Sequence, residues 1–456
     1  MNSTTPPHAS DSPGRPSTGR PSTALLTDKY ELTMIRAALA DGTADRPCVF
    51  EVFARRLPAG RRYGVVAGIG RLIERLADFR FGDEEIAVVA ESLDKATTDW
   101  LRAFRFTGDV DGYPEGELFF PGSPVLSIRG GFAECVVLET LVLSVLNHDS
   151  AIASAAARMT TAAGGRPIIE MGSRRTHEEA AVAAARASYL TGFASTSNIE
   201  ATRRHGVPSA GTSAHAFILL HTGPDGTDEA SAFRSQVATL GVDTTLLVDT
   251  YDITRGVETA IEVAGPELGG VRIDSGDLGV LASQVRGQLD ALGAHRTQIV
   301  VSGDLDEYAI AALRAEPVDV YGVGTRLVTG SGAPTAGMVY KLVEVDGIPV
   351  AKRSAQKESL PGAKRAVRVH RRSGTAVEEI LLPWNGTVPA EPGLNQRDLM
   401  VPLVRGGDPV PGLPSLDESR AHHEAVMVTL PWAGLALSQG DPAISVRVVP
   451  PGTPPR

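Results

Sequence analysis

Apolar and polar positions along the 456-residue chain change rhythm twice. Residues 30–40 place apolar side chains at helical spacing, and 49–53 form a strand-like run, so the first part reads as an α+β layer in no regular order. Residues 119–125 predict strand, turn and strand. The apolar stretch 133–147, with Glu134 and Glu139 as its few charges, predicts a helix. A second, Ala-rich helix over 151–163 should end at Gly164-Gly165.

From Pro167 short apolar runs alternate with helical segments, the pattern of βα units around a parallel sheet. Seven runs occur, at 167–171, 192–194, 207–210, 245–248, 270–273, 298–301 and 318–321, with helices predicted at 178–190, 198–205, 254–263, 278–292 and 306–314. Each run leads into a polar cluster. In order these are Gly172-Ser173-Arg174-Arg175, Ser195-Thr196-Ser197, Gly211-Thr212-Ser213-Ala214-His215, Asp249-Thr250-Tyr251-Asp252, Asp274-Ser275-Gly276-Asp277, Ser302-Gly303-Asp304 and Gly322-Val323-Gly324-Thr325. In a barrel they share the carboxyl rim of the strands, where loops vary freely and active sites are built. The alternative is an open doubly wound sheet, because runs alone do not determine closure. Beyond Tyr340 the rhythm stops, and a basic loop at 352–372, a strand at 378–382 and a last strand near 444–449 suggest an extension that returns to the body. The fold class is therefore an irregular α/β barrel with an N-terminal α+β domain and a C-terminal extension. Its expected divisions are a disordered tail at 1–23, the N-terminal domain at 24–150, the barrel at 151–345 and the extension at 346–456, packing back on the N-terminal domain.

Composition narrows the class. At 42% hydrophobic and 21% charged, the chain suits a globular enzyme rather than a disordered one. No apolar run approaches the roughly 18 residues of a membrane span, and the Pro/Ser-rich start has no apolar core of a secretory signal. Two cysteines, Cys48 and Cys135, give neither metal spacing nor a disulfide framework, which points to a reducing cytoplasm. With 44 basic against 54 acidic residues the net charge is −10, against general nucleic-acid or membrane affinity. An anionic substrate must be held locally.

The rim supplies the means. Gly322, Gly324 and Thr325 form a small-residue loop whose N–H groups suit a phosphate; a ligand-free turn is the bland alternative. Arg272 and Asp274 flank a glycine turn, with Asp274 suited to ribose hydroxyls or a magnesium ion and Asp277 equally suited to capping the next helix. Arg174 and Arg175, read as the start of a helix, oppose its dipole unless one meets an anion. His215 is either a bonded core imidazole or a nucleophile towards a phosphoryl group.

In this order the motifs resemble the nicotinate phosphoribosyltransferases. They are Leu26-Thr27-Asp28-Lys29-Tyr30-Glu31-Leu32-Thr33-Met34, Glu170-Met171-Gly172-Ser173-Arg174-Arg175, Gly211-Thr212-Ser213-Ala214-His215, Arg272-Ile273-Asp274-Ser275-Gly276-Asp277, Gly322-Val323-Gly324-Thr325, Tyr340-Lys341-Leu342-Val343 and Lys357-Glu358-Ser359-Leu360-Pro361-Gly362-Ala363-Lys364. The resemblance implies an incomplete barrel and a head-to-tail homodimer with shared active sites. It implies a reaction of nicotinate with phosphoribosyl pyrophosphate, coupled to ATP and magnesium through a phosphohistidine at His215. It places nicotinate contacts on Arg174, Thr212, Arg272 and a partner subunit's Tyr30, and phosphoribosyl contacts on Asp274, Gly303, Gly322, Gly324 and Thr325. The catalytic set it implies is His215, Asp274 and Arg272, with Asp274 as the magnesium candidate. The C-terminal zinc site of some relatives is not expected, since the cysteines for it are missing.

Three rivals remain open on sequence. A quinolinate enzyme of the same fold would be shorter and lack His215. A nicotinamide enzyme would differ in a few pocket contacts, and the Arg174-Arg175 pair favours the acid. A nucleic-acid binder using the basic 352–372 loop would show salt-sensitive binding without turnover.

Overall fold

A computed structural model describes residues 22–224, 226–352 and 360–450. All but the end of the tail expected at 1–23, and positions 353–359 of the basic loop, lie outside the described residues.

Six short strands make the central parallel sheet: β1 Ile168–Glu170, β2 Ser195–Thr196, β3 Thr245–Leu247, β4 Gly270–Ile273, β5 Gln298–Ser302 and β6 Val320–Val323. Most of their residues are buried, as in a sheet covered on both faces, and Val271, Ile273, Ile299, Val301 and Tyr321 enter one large core with the surrounding helices. The strand order is β3-β4-β5-β6-β1-β2, and a parallel bridge from Thr196 to Ser209 extends it at the β2 end. Hydrogen bonding stops there, so the sheet is a half-barrel with β3 and the Ser209 bridge at its two ends.

Several expected strands move. The run at 192–194 stops short of β2, the run at 207–210 contributes only the Ser209 bridge, and β6 begins two residues later than expected, which puts Gly322 inside the strand. The helices Glu178–Leu190, Ile199–His205, Ile253–Ala264, Leu278–Ala291 and Glu307–Leu313 stand where periodicity put them. Between the Ser209 bridge and β3 the chain adds two helices, His215–Leu220 and Glu229–Leu240, that the run pattern did not announce.

The two helices expected over 133–163 are divided differently. A short helix, Phe132–Val136, precedes one 25-residue helix, Glu139–Ala163, that runs straight through His148-Asp149-Ser150. Those polar residues looked like a boundary because nothing in the local pattern explains them. They face the N-terminal layer: Arg71 Nε lies 3.0 Å from Asp149 Oδ2, and Ala67 N donates to Ser150 Oγ at 3.1 Å. The stretch Phe132–Ala163 is also long and apolar enough, by length and composition, to cross a membrane, contrary to the expectation that nothing approached that length. Its most apolar window is 67% buried within the protein, the environment of a core helix.

The N-terminal layer is a seven-stranded antiparallel sheet built on Pro47–Ala54, which pairs with Met338–Val345 on one side and Leu126–Gly131 on the other. Asp109–Gly112 follows, and Val401–Arg405 from the C-terminal extension pairs with it. The extension also forms its own sheet from Lys364–Arg371, Ala376–Pro383, Leu394–Asp398 and Ser445–Val448. A fully buried ionic cluster joins it to the layer. Arg368 donates to Glu379 Oε2 from Nη2 (2.7 Å), to the Leu118 carbonyl (2.9 Å) and to Glu117 Oε1 (3.4 Å), while Tyr113 and Ser123 donate to Glu379 Oε1. Burial pushes the Glu117 carboxyl up, but the His422 hydrogen bond and the Arg368 and Arg397 charges outweigh it and hold it well below the usual carboxylate range.

Candidate functional site

The carboxyl ends of the parallel strands open into one cavity of about 640 Å³. Its wall brings together Arg174, Thr212, Arg272, Asp274, Gly303, Gly322, Gly324 and Thr325, which come from five separate strand ends or loops. Tyr30 is not part of this wall. It sits on the first helix, Lys29–Asp41, 46% exposed, and burial together with the neighbouring Glu139 carboxylate raises its hydroxyl well above the usual range.

His215 opens its own helix just behind the wall residues Ser213 and Ala214. Its Nδ1 is 3.1 Å from Thr250 Oγ1, and its Nε2 is 4.0 Å from Asp249 Oδ1. Asp249 ties this ring to the next loop, because its Oδ2 accepts from Asp274 N and from Ser275 Oγ, both at 2.8 Å. Its Oδ1 is buried without a hydrogen-bond partner among the described residues. The strand pattern puts Asp249 and Thr250 on the rim without marking a task for them. The signal was a strand followed by Asp-Thr, and only the fold shows that His215 faces it.

Arg272 leans across the cavity from β4, and its Nη1 donates to Thr212 Oγ1 at 2.9 Å. Burial lowers its pKa, and its enclosed Nε has no hydrogen-bond partner among the described residues. Asp274 accepts from Ser302 Oγ at 2.5 Å through Oδ1. Gly303 (φ 115°) follows Ser302, and a Cβ there would lie 2.9 Å from the Asp274 carbonyl oxygen. A side chain at Gly322 would press on Met171 Sδ at 2.8 Å. Glycine at these points lets the neighbouring wall segments approach this closely.

Two expectations change in detail. Asp277 accepts from Val280 N and caps the helix Leu278–Ala291, the bland alternative for that residue. Arg174 and Arg175 do not start a helix; they lie in a turn closed by Arg175 N donating to the Gly172 carbonyl (2.8 Å), and His177 caps the helix that follows. No helix dipole therefore opposes them, while their place on the cavity wall stands. Nothing in the sequence pattern marks Glu229. It begins the helix that packs beside the one led by His215, and burial, opposed by Arg255 and reinforced by Asp249 and Asp252, pushes its carboxyl up to about 7.

Among the described residues, no cluster of three or more His, Cys, Asp or Glu side chains forms a metal cage. The cavity wall instead offers the carboxylates of Asp274 and Asp304, and behind it lies Asp249, whose Oδ1 has no hydrogen-bond partner among the described residues. That sparse carboxylate set suits magnesium, which keeps waters and takes further ligands from phosphates.

The profile of the nicotinate phosphoribosyltransferase N-terminal domain matches residues 25–147. The chain is 63% identical over 449 residues to nicotinate phosphoribosyltransferase pncB1 of Mycobacterium tuberculosis (strain ATCC 25618 / H37Rv), covering 98% of this chain and 99% of that protein. It is 37% identical to nicotinate phosphoribosyltransferase of Bacillus subtilis (strain 168), over 76% of this chain and 73% of the relative. The crystal structure of human nicotinic acid phosphoribosyltransferase superposes with a TM-score of 0.79 at 29% identity, covering 92% of this chain and 97% of that one.

Proposed function

Because this chain belongs to the nicotinate phosphoribosyltransferase family, we propose that it joins nicotinate to phosphoribosyl pyrophosphate, releasing nicotinate mononucleotide and pyrophosphate, with ATP hydrolysis coupled through His215. The observation that carries this reading is the cavity in which three arginines, two carboxylates and a glycine-lined phosphate loop meet.

Arg174 and Arg272 supply the positive charge that a nicotinate carboxylate needs, and an amide would forgo it. Thr212, bonded to Arg272, fixes the guanidinium plane. With the carboxylate anchored, the pyridine nitrogen is aimed at the anomeric carbon; the N–C bond forms as the C–O bond to pyrophosphate breaks. Asp274, steadied by Ser302, addresses the ribose hydroxyls, and Gly303, Gly322, Gly324 and Thr325 give close approach for the phosphate oxygens. Asp274, on the cavity wall, is the residue that would hold magnesium, which when bound would neutralise charge on the departing pyrophosphate.

His215 takes the γ-phosphoryl group of ATP: an N–P bond forms and the P–O bond to ADP breaks, and water later cleaves the N–P bond, releasing inorganic phosphate and the free imidazole. Thr250 holds the ring at Nδ1 and the Asp249 carboxylate stands 4.0 Å from Nε2, so the imidazole that attacks is oriented by these two residues. Tyr30, exposed and away from the cavity wall of its own chain, is suited to reach the site of a second subunit, which supports a homodimer with shared sites.

The test is incubation with γ-labelled ATP together with a nicotinate-dependent pyrophosphate assay. The full chain should acquire acid-labile, base-stable label, and His215→Ala should acquire none while losing ATP stimulation of turnover. Label retained in His215→Ala removes the phosphohistidine assignment, and pyrophosphate release driven by nicotinamide in place of nicotinate overturns the substrate.

A further inference from the structure

Glu170, the last residue of β1, is fully buried, and its described side-chain partners are neutral: the Gly172 amide donates to Oε1 and the Thr196 hydroxyl donates to Oε2 at 2.5 Å. Burial pushes this carboxyl up, as expected for an acid without a cation beside it. Such a group is costly to keep in a core, and its hydrogen bonds offset that cost.

They lead back to the substrate cavity. Thr196 Oγ1, besides donating to Glu170, accepts from Asn198 N at 3.0 Å. Asn198 caps the helix Ile199–His205 through Oδ1 and donates from Nδ2 to Ser173 Oγ at 3.0 Å. Ser173 is inside the turn Gly172–Arg175 that carries Arg174. The turn is thus gripped twice, at Gly172 by Glu170 directly and at Ser173 through Thr196 and Asn198. Its outer side leans on the phosphate loop, since a Cβ on Gly172 would meet Val328 Cγ1 at 2.3 Å and the Gly324 carbonyl at 3.1 Å. The amide of Gly172 only donates, so Glu170 must present an acceptor there. Glutamine has a single acceptor oxygen and would turn its NH₂ towards Thr196, whose hydroxyl proton then loses the acceptor that Glu170 Oε2 provides.

We propose that Glu170 is a positioning residue for acid selection: through Thr196 and Asn198 it holds the turn that aims Arg174 at the substrate carboxylate. This rests on the reading of Arg174 as the partner of that carboxylate. Glu170 touches no substrate, and its contribution is the fixed direction of a guanidinium that a looser turn would let swing.

Steady-state kinetics on the full chain test it with Glu170→Gln, Thr196→Val, Thr196→Ser, Arg174→Ala and the double variant Glu170→Gln/Arg174→Ala. Glu170→Gln and Thr196→Val should each raise KM for nicotinate roughly tenfold, leave KM for phosphoribosyl pyrophosphate within about twofold, and narrow the preference for nicotinate over nicotinamide. Thr196→Ser, which keeps the hydroxyl, should behave as the parent. In the Arg174→Ala background the Glu170→Gln change should add less than about twofold, because both act through one group. Additive effects, equal loss for both substrates, or a Thr196→Val enzyme like the parent overturns the proposal. If Glu170→Gln does not fold, the contrast between Thr196→Val and Thr196→Ser decides the matter. Should Arg174→Ala leave KM for nicotinate unchanged, the carboxylate assignment itself fails and the proposal with it; should Arg174→Ala raise KM while the Glu170 and Thr196 variants do not, only the proposal fails.

Discussion

Asp274→Ala should lower kcat/KM for phosphoribosyl pyrophosphate by roughly 10²–10³-fold, the scale seen when one preorganised polar group is removed from a reaction centre. Asp274 joins three parts of the cavity. Its carboxylate accepts from Ser302, its amide donates to Asp249, and Asp249 in turn faces His215. Alanine keeps the backbone bond to Asp249 and removes only the carboxylate, so the loss should fall on sugar phosphate rather than on nicotinate. Asp274→Asn separates shape from charge. It retains an acceptor for Ser302 but cannot neutralise a cation, so its magnesium requirement should rise where a purely hydrogen-bonding role would leave it unchanged. Initial rates at saturating nicotinate, over a magnesium series, measure this. A change under about threefold in both variants would remove Asp274 from the site.

Arg368→Ala should destabilise the protein by about 3–5 kcal/mol, because it strands Glu117 and Glu379 in a fully buried setting. Urea unfolding should show it as a lowered midpoint, with the C-terminal sheet the first part to lose hydrogen-exchange protection. The acid side of the stability profile gives a second check. Glu117 is held below its ordinary value in the folded protein, so it contributes stability that is present above the unfolded carboxylate range, about 4.3, and is lost as pH falls towards the folded value. Removing Arg368 weakens that depression, so the variant should be less stable overall and lose less on acidification below about pH 4.3. A variant with the parent's midpoint and acid slope would mean that the cluster does not hold the extension in place.

Much of the cavity was legible because the parallel strands are short apolar runs and the loops after them are polar, so a change in composition marks each strand end. That is why Arg174, Thr212, Arg272, Asp274 and the glycines were found and do share one wall. What the pattern hid were side chains whose partners are far away in sequence. Glu170 looks like one polar residue ending a strand, but it is bonded to Thr196, 26 residues on. Asp249 looks like a turn former, and it faces a histidine 34 positions earlier. His148-Asp149-Ser150 looks like a helix boundary and is an interface.

Local periodicity and turn chemistry determined the α/β class, the positions of the major helices and the residue types on the rim, since each depends only on neighbours along the chain. Tertiary structure decided that the sheet stops short of a ring, that Met338–Val345 and Val401–Arg405 join the N-terminal sheet, and that Tyr30 stands apart from the cavity wall. It also decided which buried charges meet, as Arg368 does with Glu117 across 251 positions. Burial makes an unpaired charge expensive, so partners are chosen by where the chain packs, and that information is not local.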